Sequence, residues 1–191
     1  GKHATYYPEI LKEVAAKGHT VGTHTWSHPK DLGKMPLEKG KEELEMGISA
    51  VRRAIGDQAT TFVRFPSLKH PTELVKYSGE RNLGIWSTDI DSFDFKFTKN
   101  SDKLVPSLMG KLAKRGKGIL LMHDFQRSTA NSIPELLNQL KAGGYKVPES
   151  QTPWQEIFRQ NTEQLAQGMV LKGATKFQRI AKTKGIPRDN H

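Results

Sequence analysis

Gly18-His19-Thr20-Val21-Gly22-Thr23-His24-Thr25-Trp26-Ser27-His28 reads as a short strand that runs out into a pair of histidines. His19 to Thr23 carries the β-branched alternation of a half-buried strand. Gly18 closes an amphipathic segment, Tyr7 to Lys17, that reads as a helix. Two imidazoles four residues apart in one turn of chain can point the same way and share a divalent ion. A pair of surface or capping histidines satisfies the same spacing, so spacing alone leaves both readings open.

The same helix-then-strand rhythm continues outward. A helix predicted from Pro36 places Leu37, Leu44, Ile48, Val51 and Ile55 on one stripe and stops at Gly56-Asp57. Strand-like Thr61-Phe62-Val63-Arg64-Phe65 runs into Pro66, and a helix from Thr72 to about Asn82 returns to the apolar run Leu83-Gly84-Ile85-Trp86-Ser87. Another helix opens at Ser101, aligns Leu104, Leu108 and Leu112 and ends at Gly116, with Pro106 early in it. Gly118-Ile119-Leu120-Leu121-Met122 is the most strand-like run of the chain. The helix after it has Ser132 as its cap, Pro134 in its first turn and a stop at Gly143-Gly144. A short strand Tyr145-Lys146-Val147 and a second capping box, Thr152-Pro153-Trp154-Gln155, follow. Each return is one unit of a wound sheet, and the fold class is α/β. The sequence divides into a domain over 1–150 and, over 151–191, a C-terminal helix with a basic extension.

Composition narrows the chemistry. The 191 residues fit one domain of ordinary size. With no cysteine, disulfides and thiolate metal sites are excluded, and any metal must be held by nitrogen and oxygen. The 30 Lys and Arg against 20 Asp and Glu give a formal charge of +10, which favours encounter with anionic surfaces. No stretch reaches membrane-spanning length, and Gly1-Lys2-His3-Ala4-Thr5 lacks the basic-then-apolar pattern of a signal peptide.

Three further clusters sit at strand ends. Asp89-Ile90-Asp91-Ser92-Phe93-Asp94 could orient a histidine or an arginine, or form an ordinary solvated loop. His123-Asp124 ends the Ile119 to Met122 run, where wound sheets place active sites, so His123 is open to acid–base work or to a structural role. Arg64 leaves its strand in the same way, to pair with a carboxylate or to lie on the surface.

Taken in this order, the clusters resemble carbohydrate esterase family 4, the NodB-homology polysaccharide deacetylases, over about residues 1–147. That resemblance implies a distorted (β/α) barrel that removes N-acetyl or O-acetyl groups from sugars with one divalent metal, usually zinc, with cobalt or another divalent ion as alternatives. Gly18-His19-Thr20-Val21-Gly22 followed by His24-Thr25-Trp26-Ser27-His28 matches the family's His-Ser/Thr-x-x-His motif, making His24 and His28 metal ligands by resemblance. Arg64-Phe65-Pro66-Ser67 is similar to the Arg-x-Pro-Tyr motif, so Arg64 would hold the catalytic aspartate and the Ser67 amide would lie near the oxyanion. Asp91-Ser92-Phe93-Asp94-Phe95 resembles Asp-x-x-Asp-Trp, with Asp91 tuning the catalytic histidine and Asp89 a competitor for that role. Leu121-Met122-His123 resembles Leu-x-His, giving an acetyl-pocket wall in Leu121 and a general acid in His123, with Trp86 a further substrate contact.

One element of the family pattern is absent from the sequence. Members open with a strand bearing Thr-Phe-Asp-Asp-Gly, whose first Asp is the base and whose second is the third metal ligand; no such motif occurs in this chain. The resemblance therefore implies a barrel incomplete at its N-terminal strands, with the Asp-Asp segment of the same protein as a partner and Asp31 a conceivable substitute ligand. It also implies an acetylated glycan such as chitin oligomers or peptidoglycan as substrate, and a periplasmic or secreted setting. Two other functions stay open: an inactive sugar-binding module of the same fold, and, ranked last, a basic nucleic-acid-binding module suggested by the net charge and by Lys172, Lys176, Arg179, Lys182, Lys184 and Arg188.

Overall fold

The computed structural model describes residues 1–147, so the capping box at Thr152 and the basic extension lie outside the described residues. Within that span the chain forms two compact units, Gly1–Trp86 and residues 87–147.

The first unit opens with helices α1, Lys2–Tyr6, and α2, Pro8–Ala16. Pro8 sits at the first position of α2, where its missing N–H costs nothing. Gly18, at φ +82°, turns the chain out of that helix. Strand β1, Val21–Thr23, follows, with Val21 and Thr23 buried. After a loop come α3, Leu37–Ile55, and β2, Ala59–Val63; then α4, Thr72–Glu80, and β3, Gly84–Ile85. The three strands form a parallel sheet in the order β1-β2-β3. Parallel neighbours need crossovers, and α3 and α4 supply them.

Helix α3 packs by a wider stripe than the apolar pattern suggests. Leu44 joins Leu32, Val63, Phe65, Leu74 and Ile85 in one core, while Val51 and Ile55 pack with Ala15 and Val21 in another. Leu37, in the first turn of α3, is exposed, and Gly40 takes the inward position there, against Leu74.

The second unit contains β4, Ile90–Asp91, α5, Leu104–Arg115, β5, Leu120–Leu121, and α6, Arg127–Ala142. Strands β4 and β5 pair in parallel, Ile90 with Leu120 and Asp91 with Leu121. Ile90, Val105, Leu108, Leu112, Leu136 and Leu140 make its core. Pro106, third in α5, is tolerated because first-turn amides have no partner within the helix.

Three elements differ from the sequence reading. The run from Gly118 to Met122 forms a ladder only over Leu120–Leu121, and those residues are half-buried. Helix α6 starts five residues before Ser132, whose hydroxyl bonds back to the Ser128 carbonyl at 2.8 Å, and Pro134 lies inside the helix. The inward residues of its first turns are Thr129 and Ser132, so the apolar period that marks a helix is missing there. Tyr145 to Val147 is not a strand; the Tyr145 amide closes onto the Leu140 carbonyl at 2.9 Å and its ring covers the core. No helix of the described residues is long and apolar enough to cross a membrane.

Candidate active site

The first unit holds the histidine pair. The chain leaves β1 through Thr25, buried and at φ +66°, and reaches His28 at φ +58°. The Thr25 hydroxyl accepts the His28 amide at 3.2 Å. Glu43 of α3 clamps the turn from outside, accepting the amides of Trp26 and Ser27 at 3.1 and 2.8 Å and the Ser27 hydroxyl at 2.7 Å. Gly47, one helical turn on, lets α3 approach: a Cβ there would meet the Thr23 hydroxyl at 2.5 Å and the Thr25 backbone at 2.8 Å. The two imidazoles meet edge to face, with ring centres 4.7 Å apart.

His24 Nδ1 lies 2.5 Å from the Arg64 carbonyl oxygen. A carbonyl only accepts, so Nδ1 carries the proton and Nε2 keeps its lone pair. Burial, followed by the positive charge of Arg64, lowers the His24 pKa to about 4. The ring is therefore neutral at pH 7, the form that ligates a metal, with the backbone-bonded nitrogen setting its orientation. His28 is exposed beside it. These nitrogens suit a divalent ion but do not complete a site: among the described residues no group of three His, Cys, Asp or Glu side chains could hold a metal. Asp31 does not fill the gap, since its carboxylate faces Lys69 Nζ at 3.3 Å and Lys34 Nζ at 3.9 Å.

Arg64 leaves β2 half-buried, its amide bonded to the Thr23 carbonyl at 3.0 Å. Ser67, exposed and at φ +56°, sits in the 3-10 turn that follows. Trp86 is half-buried with its ring 5.1 Å from that of Phe62, a contact that ties it to β2.

The second unit holds His123, and here the carboxylate differs from the expected one. Asp94, fully buried, accepts His123 Nδ1 at 2.7 Å, the His123 amide at 2.5 Å and the Thr129 hydroxyl at 2.8 Å. Asp91 instead caps the next turn, accepting the Phe93 amide at 2.8 Å. Asp89 accepts the Ile119 amide at 2.9 Å and Arg115 at 2.5 Å, which ties it to the approach of β5. The orienting role assigned to Asp91 therefore passes to Asp94. Phe93 at φ +53° is the cause: its left-handed backbone reverses the chain after β4 and carries Asp94 inward. Leu121 is half-buried in β5, paired with Asp91. Phe95 and Phe125, both exposed, flank the His123 ring at 6.1 and 5.8 Å. Sequence reasoning missed Thr129 and Phe125, and no local pattern marks either one.

Burial raises the Asp94 pKa, but the bonds from the His123 side chain and amide and from Thr129 outweigh it and hold the carboxyl below its ordinary value. A carboxylate with a depressed folded pKa contributes stability that is present above its unfolded value, about 3.9, and lost as pH falls through the folded value. Urea unfolding midpoints are expected to drop steeply below about pH 4. In Thr129→Val, which removes one donor, that drop is expected to shift to higher pH.

Comparison with known proteins bears on the family and the fold. Residues 1–85 match the family model described as polysaccharide deacetylase. The peptidoglycan-N-acetylmuramic acid deacetylase PdaC of Bacillus subtilis is 29% identical over 147 residues, covering 77% of this chain and 30% of its own length. Its solved structure superposes with a TM-score of 0.69 at 24% identity, covering 96% of this chain and 78% of that one. Chitin deacetylase 1 of Saccharomyces cerevisiae is 30% identical over 145 residues, 72% of this chain and 47% of its own. A mutant of a family 4 carbohydrate esterase pseudoenzyme with restored activity superposes with a TM-score of 0.69 at 24% identity, covering 77% of this chain and 52% of that one. The chain spans between 30% and 57% of the length of three such curated relatives. The fold is the (β/α) barrel type of these deacetylases.

Proposed function

With residues 1–85 belonging to the polysaccharide deacetylase family, we propose that this protein takes part in the metal-dependent hydrolysis of acetyl groups from an acetylated glycan, of the chitin-oligomer or peptidoglycan class. The observation that carries the reading is His24, a neutral imidazole whose Nδ1 is fixed on a carbonyl, with His28 edge-on beside it.

His24 and His28 would hold the ion, zinc or another divalent metal, which when bound supplies Lewis-acid activation. His123 acts as general acid. Asp94 fixes its Nδ1 and stabilises the protonated ring, so that Nε2 can pass a proton to the departing amine as water splits the amide into acetate and amine. The guanidinium of Arg64 orients a carboxylate base. Among the described residues no third ligand joins the two histidines, so acetate release depends on a further carboxylate base and metal ligand being supplied. The Ser67 amide, Leu121 and Trp86 contact the acetyl group and sugar. A substrate of this class places the protein outside the cytoplasm, in the periplasm or secreted.

The test is acetate release from acetylated glucosamine oligomers by the native protein with zinc or cobalt, beside its metal content. His24→Ala is expected to lose both. His123→Ala is expected to keep the metal and lose most turnover; loss of the metal from that variant would overturn the general-acid role. A second reading, an inactive glycan-binding module, is favoured by the absence of a three-ligand group among the described residues. Saturable oligomer binding without acetate release in the metal-loaded protein would select it.

A further inference from the structure

Helices α3 and α4 enclose an open groove of about 410 Å³ lined by Glu45, Ile48, Ser49, Arg52, Arg53 and Arg81. At about 100° per residue, Glu45, Ser49 and Arg52 lie on the side of α3 roughly opposite Gly47, the position that packs on Thr23 and Thr25. The groove thus faces away from the histidine-bearing turn, and none of its residues has a part in the chemistry described above.

Its charges are unevenly matched. Arg81 is fixed by a fork onto Glu45, with Nε and Nη2 at 2.8 and 2.9 Å, and the Tyr77 hydroxyl adds a third bond to the same carboxylate at 2.8 Å. That pair cancels one positive charge. Arg52 and Arg53 have no ion-pair partner among the described residues. Lys12, Lys17, Lys39 and Lys41 of the same unit, by contrast, each pair with a glutamate three or four residues away. Arg52 acts on the Glu45 carboxylate through charge without a salt bridge, and it lines the concavity with Arg53, Ser49 and Ile48.

A bound oxyanion would give these arginines a partner, and guanidinium forks match its geometry. A phosphate monoester carries about −1.5 to −2 at pH 7, closer to the charge of two arginines without a salt bridge than a single carboxylate is. The groove volume also falls within the range of about 300–1,000 Å³ typical of small-molecule sites. We propose that this groove is a binding site for a phosphoryl group, held by Arg52 and Arg53, with the Glu45-fixed Arg81 and the Ser49 hydroxyl completing the set.

The test titrates the full chain, at constant ionic strength, with inorganic phosphate and separately with a short polyphosphate, by calorimetry and by arginine Nε–H NMR. Saturable binding that shifts the resonances of Arg52, Arg53 and Arg81 is expected. The exposed double variant R52Q/R53Q should weaken binding by about tenfold or more with unchanged thermal unfolding. The charge-matched control K12Q/K17Q should bind as the parent does. Saturation by both probes assigns the site to a small phosphorylated ligand, and saturation by polyphosphate alone assigns it to a phosphate polymer. Absence of saturable binding by either probe overturns the proposal, as does an equal loss in K12Q/K17Q, which would mark diffuse charge.

Discussion

Asp94→Ala is expected to lower the unfolding free energy by about 3–5 kcal/mol, the range for removing one partner of a buried charged cluster. The carboxylate is fully buried and takes the His123 amide, His123 Nδ1 and the Thr129 hydroxyl. Alanine strands the hydroxyl of Thr129, itself buried, and the His123 amide, at about 1–3 kcal/mol for each buried donor left without an acceptor. Asp94→Asn keeps the shape but turns two donors toward groups that are themselves donors, so it should fall between alanine and the parent. Urea unfolding of the three proteins at pH 7 measures the series. A loss under about 1 kcal/mol in the alanine variant would mean that water replaces the carboxylate and that the cluster is not closed.

Gly47→Ala sets two effects of opposite sign against each other. Alanine in a helix interior gains about 1 kcal/mol over glycine. Against that, the new methyl would lie 2.5 Å from the Thr23 hydroxyl and 2.8 and 2.9 Å from the carbonyl carbon and oxygen of Thr25. A side-chain tip can rotate, but the Thr25 backbone is buried and held at φ +66° in the turn that carries both histidines. Overpacking of this kind costs about 1–3 kcal/mol and occasionally more, and contact with backbone places this case at the upper end. A net destabilisation of about 2 kcal/mol is expected, together with changed ring shifts of His24 and His28 in proton NMR. Unchanged stability and unchanged histidine shifts would show that α3 can slide on the sheet at no cost.

The sequence announced its sheet more clearly than its site. Strand exits were legible to within about two residues, because β-branched or apolar runs end at Thr23, Phe65 and Met122 before histidine or proline, while the strands themselves end at Thr23, Val63 and Leu121. The histidine pair was legible from its spacing next to the glycine-flanked strand. The partner of His123 was not, because two aspartates three residues apart look alike until the backbone at Phe93 turns left-handed and sends only Asp94 inward. Thr129 was invisible for a related reason: a polar side chain on the buried face of α6 is explained by a long-range bond, not by helix periodicity. The same face hid the true start of α6, and the exposure of Leu37 shows the converse error, a residue on the right period whose inward place is taken by Gly40 against Leu74. Local pattern fixes which segments regularise, while pairings across about 30 residues decide which polar groups they bury.

The way His24 is held has a bearing on how such a protein can change over generations. Its ring is oriented by the main-chain oxygen of residue 64, whereas the guanidinium of that residue acts on it only through charge. Substitution of Arg64 can erase the side-chain contribution while the carbonyl stays where the strand puts it. Under the roles proposed above, lineages of this fold can shed turnover by point mutation at Arg64 and keep the His24 ring posed for an ion, so loss of catalysis need not carry loss of binding. Insertion or deletion within the strand does the reverse, moving the oxygen and undoing the histidine while every side chain survives. The two inheritances are separable because one is written in the register of the backbone and the other in the identity of a residue.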